Sequence, residues 1–280
     1  MGLSLTGFDG KVAVVTGAGR MRSIGRAIAV TLARAGCDVV LTGTGKPADR
    51  YPEDERTAGW RDIESVAAEI RALGRRALPL VSDVRDPEAV ERLAARVQTE
   101  MGRVDIVVNN AGSTRGADRQ PAATLPASEW RRVVDTNLNG SFYMCQAFAR
   151  RMIEARRGGV IINISTLGAR LLAAGTAAYA SSKLALNGLT TILAAELGPH
   201  GIRVNGVGPG LIDTSRLDDM GRGAAWDQLV KSFIPLGRAG TGADIANAVA
   251  FLCSDQGAWI SGQNLYVDGG HCNVPLMPGR

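Results

Sequence analysis

The chain has 280 residues, of which 45% are hydrophobic and 21% charged, so it can bury a full core without disulfides or structural metals. Its net charge of +5 is spread over dispersed arginines and lysines, which argues against a nucleic-acid partner. The four cysteines form no C-x-x-C pair, so we expect no zinc site and a reducing, cytoplasmic location. No apolar run reaches the ~18–20 residues of a membrane span.

Short β-branched runs alternate with longer stretches of helical periodicity along most of the chain. The predicted strands are Lys11–Thr16, Asp38–Thr42, Ala77–Val81, Val104–Asn109, Val160–Ser165, Arg203–Val207 and Asn264–Val267. The predicted helices are Ile24–Ala35, Trp60–Leu73, Pro87–Met101, Ser128–Ala155, Tyr179–Leu197 and Asp244–Cys253. This alternation predicts a single α/β domain over residues 1–280, a Rossmann-type doubly wound parallel sheet of about seven strands with helices on both faces.

Three segments fall outside the alternation. Gly43–Gly59 is polar and contains proline, which predicts an irregular excursion after the second strand. Thr214–Ile234 follows the sixth strand and is predicted to be a mobile lid with short helices. For the tail His271–Arg280, both disorder and folding over a site or a neighbouring subunit remain open.

A glycine-rich turn joins the first predicted strand to the first helix. It reads TGAGRMRSIG over residues 16–25, and its glycines allow the backbone to approach a pyrophosphate at a helix N-terminus. The pattern therefore predicts a nucleotide site. The residues expected to line it are Gly17, Gly19, Arg20, Ser23, Ile24 and Gly25.

The end of the second strand indicates which dinucleotide would bind. An NAD site usually has an acidic residue there, whereas this strand ends in LTGT over residues 41–44. Arg20, Arg22 and Lys46 lie near this point in the expected fold, and they would attract a 2′-phosphate. We therefore expect NADP(H), with NAD(H) as the alternative.

Tyr179 and Lys183 begin a long predicted helix, and their spacing of four places both side chains on one helical face. A neighbouring ammonium lowers the pKa of a tyrosine from its usual value of about 10, which makes it a usable general acid and base. Such a pair alone could equally be a helix-start tyrosine with a solvated lysine. The hydroxyls of Ser165 and Thr166, at the end of the fifth strand, favour the catalytic interpretation because they could polarise a substrate carbonyl.

Five further motifs occur in order along the chain: Asp83-Val84, Asn109-Asn110-Ala111-Gly112, Asn137 within T-N-L, Pro209-Gly210 and Val267-Asp268-Gly269-Gly270. Together with the glycine turn and the tyrosine–lysine pair, they make the chain resemble the classical short-chain dehydrogenase/reductase family, and within it the 3-oxoacyl reductase-like ketoreductases. The resemblance covers nearly the whole chain.

This resemblance implies a metal-free hydride transfer between NADP(H) and a carbonyl or secondary alcohol, in a homotetramer. Tyr179 would exchange the proton, Thr166 would hydrogen-bond the carbonyl oxygen, and Asn137 would anchor a water in a proton relay through Lys183 and the nicotinamide ribose. By the same resemblance, Arg20 and Thr44 would contact the 2′-phosphate. Further cofactor contacts are implied for Asp83, Val84, Asn110, Ala111, Gly112, Pro209, Gly210, Ile212 and Thr214.

Two features depart from the family pattern. The glycine turn has two extra residues and carries Ser23 in place of the middle glycine, as in the enoyl reductase branch. That branch spaces its tyrosine and lysine by seven, so enoyl reduction is not expected, and Ser23 is predicted to bind the pyrophosphate instead. Thr166 replaces the usual catalytic serine, and Ser165, on the opposite strand face, remains the alternative.

Two questions stay open at this point. A catalytically idle NADP-binding sensor or scaffold is the alternative function, and the presence of Tyr179, Lys183 and Asn137 argues against it. The apolar residues of the lid suggest an apolar or cyclic substrate, but they could equally pack the lid onto the core. These residues are Leu217, Met220, Trp226, Leu229 and Phe233.

Overall fold

Seven parallel strands form the central sheet of the computed structural model, which describes residues 4–272. The strands are β1 (Val12–Thr16), β2 (Asp38–Gly43), β3 (Ala77–Val81), β4 (Ile106–Asn109), β5 (Gly159–Ile164), β6 (Ile202–Pro209) and β7 (Asn264–Val267). They lie in the order β3-β2-β1-β4-β5-β6-β7, and every neighbouring pair is parallel. The predicted doubly wound sheet is confirmed, and its strand order reverses between β1 and β4, where such sheets bind ligands.

The helices of the described residues cover both faces of this sheet. They are α1 (Ile24–Ala35), α2 (Glu53–Thr57), α3 (Asp62–Ala72), α4 (Pro87–Met101), α5 (Ala127–Val134), α6 (Gly140–Ala155), α7 (Ala177–Leu197), α8 (Ala224–Phe233) and α9 (Gly242–Cys253). Alternate residues of β1 show the two cores: Ala13 and Val15 pack with α1, α3 and α9, whereas Val12 and Val14 pack with α4 and α6.

The predicted helix Ser128–Ala155 is divided in the structure. A π-helical turn, Asp135–Asn139, separates α5 from α6. Asn137 lies inside this turn and is completely buried, with its side chain hydrogen-bonded to neighbouring segments. The apolar periodicity continues on both sides of the turn, so the sequence pattern does not reveal a local change in winding.

The excursion and the lid contain more helix than an irregular segment would. The excursion holds a 3₁₀ turn (Ala48–Arg50) and α2, whose first turn carries three acidic residues that suit the positive end of a helix. The lid holds a 3₁₀ turn (Ser215–Met220) and α8, which confirms the short helices predicted there.

Beyond the last strand, the described residues end at Cys272, so the prediction for the tail falls mostly outside them. Among residues 4–272, no helix is both long and apolar enough to cross a membrane.

Candidate active site

The glycine turn is fastened to the loop after β4. Two backbone amides of that loop, those of Asn110 and Ala111, donate to Thr16 Oγ1 at 3.0 and 2.9 Å. The Asn110 side chain donates to the carbonyl oxygens of Thr16 and Gly17 at 2.8 and 3.0 Å. Asn110 and Ala111 therefore hold the turn in place, and the predicted cofactor contacts of both residues would come in addition to this bracing.

Two positions in the turn require glycine. Gly17 has φ = +65°, and a Cβ there would lie 2.9 Å from the Cα of Ala111. A Cβ on Gly25 would lie 2.9 Å from the Cα of Ala18. The glycines thus let the turn pack closely against the loop after β4 and against itself at the N-terminus of α1, beside the point where the strand order reverses.

Ser23 is the N-cap of α1. Its hydroxyl donates to the Arg20 carbonyl oxygen at 2.8 Å and accepts from the Arg26 amide at 3.1 Å. Both bonds close the lengthened turn and satisfy one amide at the start of the helix. The contact between Ser23 and a pyrophosphate stays a prediction.

Two of the three cations expected at the 2′-phosphate, Arg20 and Arg22, are bound to carboxylates. Arg20 pairs with Glu55 at 2.9 Å, and Glu55 is only 1% exposed and also accepts from the Met21 amide at 2.7 Å. Arg22 pairs with Asp54 at 2.8 Å and with Asp218 at 2.5 Å. The sequence reasoning missed these partners because the excursion that carries two of them has no periodicity from which its path could be inferred.

Thr166 and Tyr179 lie on either side of Gly168. A Cβ at Gly168 would be 3.6 Å from Thr166 Oγ1 and 3.9 Å from Tyr179 Cε1. Ser165 is buried, and its hydroxyl donates to the Lys183 carbonyl oxygen at 3.4 Å. The Thr166 hydroxyl, which accepts from the Gly168 amide at 3.2 Å, and the tyrosine ring thus lie near the same residue, whereas the Ser165 hydroxyl is directed towards α7.

Lys183 lies one helical turn after Tyr179 and is buried. Its Nζ donates to the carbonyl oxygen of Ile164 at 2.7 Å. Burial lowers the pKa of this ammonium to about 7, with a further contribution from the charge of Arg216. The lysine can therefore exchange a proton near neutral pH.

Asn137 connects the β4 loop to the start of α7. Its Oδ1 accepts from the Ser113 amide at 2.9 Å, and its Nδ2 donates to Ser182 Oγ at 3.0 Å. Ser182 in turn donates to the Tyr179 carbonyl oxygen at 2.8 Å. Asn137 thus braces the helix that carries the tyrosine. The sequence reasoning gave no role to Ser113 or Ser182, although Ser182 directly precedes Lys183.

Two arginines that the sequence reasoning also missed lie over the Tyr179 ring. The guanidinium carbon of Arg119 is 4.2 Å from the ring centroid, and that of Arg216 is 5.3 Å away. Arg216 also donates to the carbonyl oxygen of Ser113 at 2.5 Å. Arg119 is paired with the buried Asp118 at 3.3 Å, so the positive charge beside the ring comes mainly from Arg216.

The residues proposed to contact adenine lie after β3. Asp83 pairs with Arg85, and this hydrogen bond lowers the pKa of the Asp83 carboxyl group. Val84 is buried, and a Cβ on Gly140 would lie 2.9 Å from its Cβ. Both residues stand at the carboxyl edge of the sheet, where the prediction places them.

The residues proposed to line the nicotinamide follow β6. Pro209 ends the strand, and Gly210 approaches β7 so closely that a Cβ there would lie 2.6 Å from the Cα of Asp268. Ile212, just before the lid, and Thr214, its first residue, are buried. These residues all stand at or after the carboxyl end of β6.

The apolar residues of the lid form a core of their own. Trp226, Val230 and Ile234 are buried together, and Leu217 and Met220 pack against them. Leu217, Met220 and Trp226 therefore have a packing role, as one of the two interpretations of the lid expects. Phe233 remains 38% exposed.

The chain matches a family model described as "Enoyl-(Acyl carrier protein) reductase" over residues 17–272. The 3-oxoacyl-[acyl-carrier-protein] reductase FabG of Escherichia coli (strain K12) is 38% identical over 265 residues, covering 94% of this chain and 98% of that protein. The 7alpha-hydroxysteroid dehydrogenase of the same strain is 36% identical over 262 residues, covering 94% of each chain.

Solved structures give the same result. A 7 alpha-hydroxysteroid dehydrogenase complexed with NADH and 7-oxo glycochenodeoxycholic acid matches with a TM-score of 0.83 and 36% identity, covering 96% of this chain and 97% of that one. A short-chain type dehydrogenase/reductase from Mycobacterium marinum matches with a TM-score of 0.83 and 32% identity over the same shares. The chain therefore belongs to the short-chain dehydrogenase/reductase family and is an oxidoreductase of that family.

Proposed function

We propose that the protein is a ketoreductase or alcohol dehydrogenase, in which Tyr179 is the general acid and base. The observation that carries this proposal is the meeting of Thr166 and Tyr179 beside Gly168, with Lys183 buried one turn further along the helix. A threonine hydroxyl and a tyrosine ring near one point, with a buried cation one helical turn further on, suit a carbonyl oxygen that gains or loses a proton.

The residues on the edge of the sheet fit a nicotinamide dinucleotide. Gly17 and Gly25 let the turn pack closely at the N-terminus of α1, where backbone amides would bind a pyrophosphate, and the bound nicotinamide would supply or accept the hydride. The preference for NADP(H) rests on Arg20, Arg22 and Lys46, and two of these cations are in ion pairs. The geometry therefore supports NADP(H) less strongly than the sequence pattern does.

In the proposed mechanism, the Tyr179 hydroxyl donates its proton to the carbonyl oxygen during reduction, and its phenolate accepts a proton from the alcohol during oxidation. Thr166 donates a hydrogen bond to the same oxygen. Lys183 stabilises the phenolate by its charge, and Asn137 fixes the start of α7 through Ser182 and anchors the water of the proton relay.

The idle sensor or scaffold is the weaker alternative. A buried ammonium whose pKa is lowered to about 7 costs folding free energy, and such groups concentrate at functional sites. A module that only binds a nucleotide would gain nothing from Lys183 in this position.

Replacing the tyrosine tests the proposal. We expect Tyr179→Phe to lower turnover of a carbonyl panel by at least about 10²-fold, because the proton donor is lost, while the Kd of the reduced cofactor stays within about threefold. Tyr143→Phe makes the same chemical change on α6 and serves as the control. A fully active Tyr179→Phe enzyme, or cofactor binding by the native protein without turnover of any carbonyl, would rule out the assignment.

We propose that the substrate is a small apolar or cyclic molecule that carries a carbonyl or alcohol group. Leu171 and Leu172 follow the short turn after Thr166 and are 40% and 65% exposed, so they are available to contact such a substrate. The lid contributes Phe233 rather than its packed residues.

The proposed assembly is a homotetramer. Phe142, Leu184 and Ile192 are exposed apolar residues on α6 and α7, and Phe251, Trp259 and Leu265 are exposed on α9, after it, and on β7. β7 is an edge strand, and natural proteins usually cover such edges. Two separate apolar surfaces suit the two interfaces of a closed tetramer.

We also propose a cytoplasmic location. Cys37, Cys145 and Cys253 are buried, and burial raises the pKa of each thiol to about 12, which keeps them protonated and unreactive. Isolated, protonated thiols of this kind are typical of proteins that work in a reducing compartment.

A further inference from the structure

The carboxylate of Asp62 lies at the end of β2, although Asp62 belongs to the start of α3. A Cβ on Gly43, the last residue of β2, would lie 2.9 Å from Asp62 Oδ2. A Cβ on Gly19 would overlap the other oxygen of the same carboxylate. Asp62 therefore fills the space that a side chain at the end of β2 would occupy, beside the glycine turn.

The neighbouring residues hold Asp62 in this place. The indole Nε1 of Trp60 donates to the carbonyl oxygen of Gly19 at 2.6 Å, and Ile63 is buried in the core beneath α3. Asp62 itself has φ = +48°, a left-handed conformation that aspartate and asparagine adopt more readily than most residues. The carboxylate is thus fixed against the turn from both sides.

The position of Asp62 serves no visible structural purpose. Within residues 4–272, Asp62 forms no ion pair and accepts no hydrogen bond from another side chain, although it accepts one from the Ile63 amide and the charges of Arg20 and Lys46 lie near it. Asp54 and Glu55 neutralise Arg22 and Arg20. Burial raises the pKa of the Asp62 carboxyl group, so holding it here costs free energy. A partly buried carboxylate without an ion pair is typical of a binding site.

We propose that Asp62 selects NAD(H) over NADP(H) by accepting hydrogen bonds from the adenosine ribose hydroxyls. It takes the place of the acidic residue that an NAD site usually carries at the end of its second strand. A 2′-phosphate would meet a carboxylate there. Arg20 and Arg22 are already paired with other acids, which leaves Lys46 as the one cation of the three without an ion pair among the described residues. The inference rests on the proposed function, because it presupposes a nicotinamide dinucleotide at this edge.

Titration of the full-length protein with NADH and NADPH tests this role. We expect the native protein to bind NADH at least about tenfold more tightly, because a hydrogen bond to a charged group contributes about this factor. In Asp62→Asn, the affinity for NADH should fall and that for NADPH should rise, so that the preference falls by about tenfold or more. Asn and Gly both tolerate the left-handed backbone, so Asp62→Gly is the second variant should the first fail to fold.

Glu53→Gln removes an exposed charge from the same segment and should leave the preference as in the native protein. If the native protein prefers NADPH, or if both Asp62 variants keep the native preference, the role of Asp62 is excluded while the proposed function stands. If neither nucleotide binds to the native protein, both proposals fall together.

Discussion

Lys183 places a positive charge in the core beside the candidate active site. Its only hydrogen-bond acceptor among the described residues is the carbonyl oxygen of Ile164, and burial lowers the pKa of its ammonium to about 7. In the unfolded chain the same group keeps its proton up to a pKa of about 10.4. Lys183 therefore lowers the free energy of unfolding of the cofactor-free protein at neutral and acidic pH. The same buried ammonium is the group that the proposed mechanism uses.

The sign of this effect leads to a prediction for Lys183→Met. Above pH 7 the folded native protein loses the proton that the unfolded chain retains, so native stability rises by up to about 1.4 kcal/mol per pH unit relative to the variant. Urea unfolding of the cofactor-free proteins at fixed concentration should show the variant's advantage at pH 6 shrinking by pH 9. Lys231→Met, on the exposed side of α8, is the control. A pH-independent difference would contradict the buried, titrating ammonium.

At the scale of elements, the excursion after β2 is attached to the glycine turn. Glu55 on α2 accepts from Arg20 and from the Met21 amide, and Trp60 donates to Gly19. These contacts join two segments that are distant in sequence, and the turn depends on them for its shape. We therefore expect the excursion to contribute to stability as well as to binding.

Replacing Glu55 measures this attachment. Glu55→Gln leaves the partly buried Arg20 without a counter-charge, so we expect the free energy of unfolding to fall by about 1–2 kcal/mol, a range lowered for the exposure of Arg20. Glu53→Gln, on the exposed side of the same helix, should change it by less than about 0.5 kcal/mol. Equal effects of the two substitutions, measured by chemical unfolding, would argue against the attachment.

The elements differ in how far the sequence predicts them. Each strand and most helices match the structure because buried β-branched runs and amphipathic periods are local signals. Tyr179, Lys183, Thr166 and Asn137 could be proposed as site residues because their motifs stand at the carboxyl ends of strands or on helices that follow them. The contacts of Glu55 and Asp62 could not, because they depend on the path of a segment that has no period.

At the scale of the whole molecule, the exposed apolar residues test the proposed tetramer. Trp259 is 100% exposed after α9, and Ile192 is 56% exposed on α7, and we assign one to each of the two proposed interfaces. Trp259→Glu and Ile192→Glu should each disrupt one interface and leave a dimer, because a buried unpaired charge opposes association.

Light scattering of the purified proteins checks this expectation, and Leu73→Glu, at an exposed apolar position outside both surfaces, should keep the native mass. A monomeric native protein would contradict the tetramer, and so would two variants that both retain the native mass.

The carboxylate beside Gly43 also bears on how such a protein can evolve. Val39, Val40 and Leu41 of β2 are completely buried, so this strand tolerates few changes, whereas a surface segment accepts insertions and deletions. Because the proposed acid belongs to α3, a change between NAD(H) and NADP(H) requires substitutions only within residues 44–62. The sheet itself can stay unchanged. An alignment that compares only the ends of second strands would then assign the wrong nucleotide to such relatives.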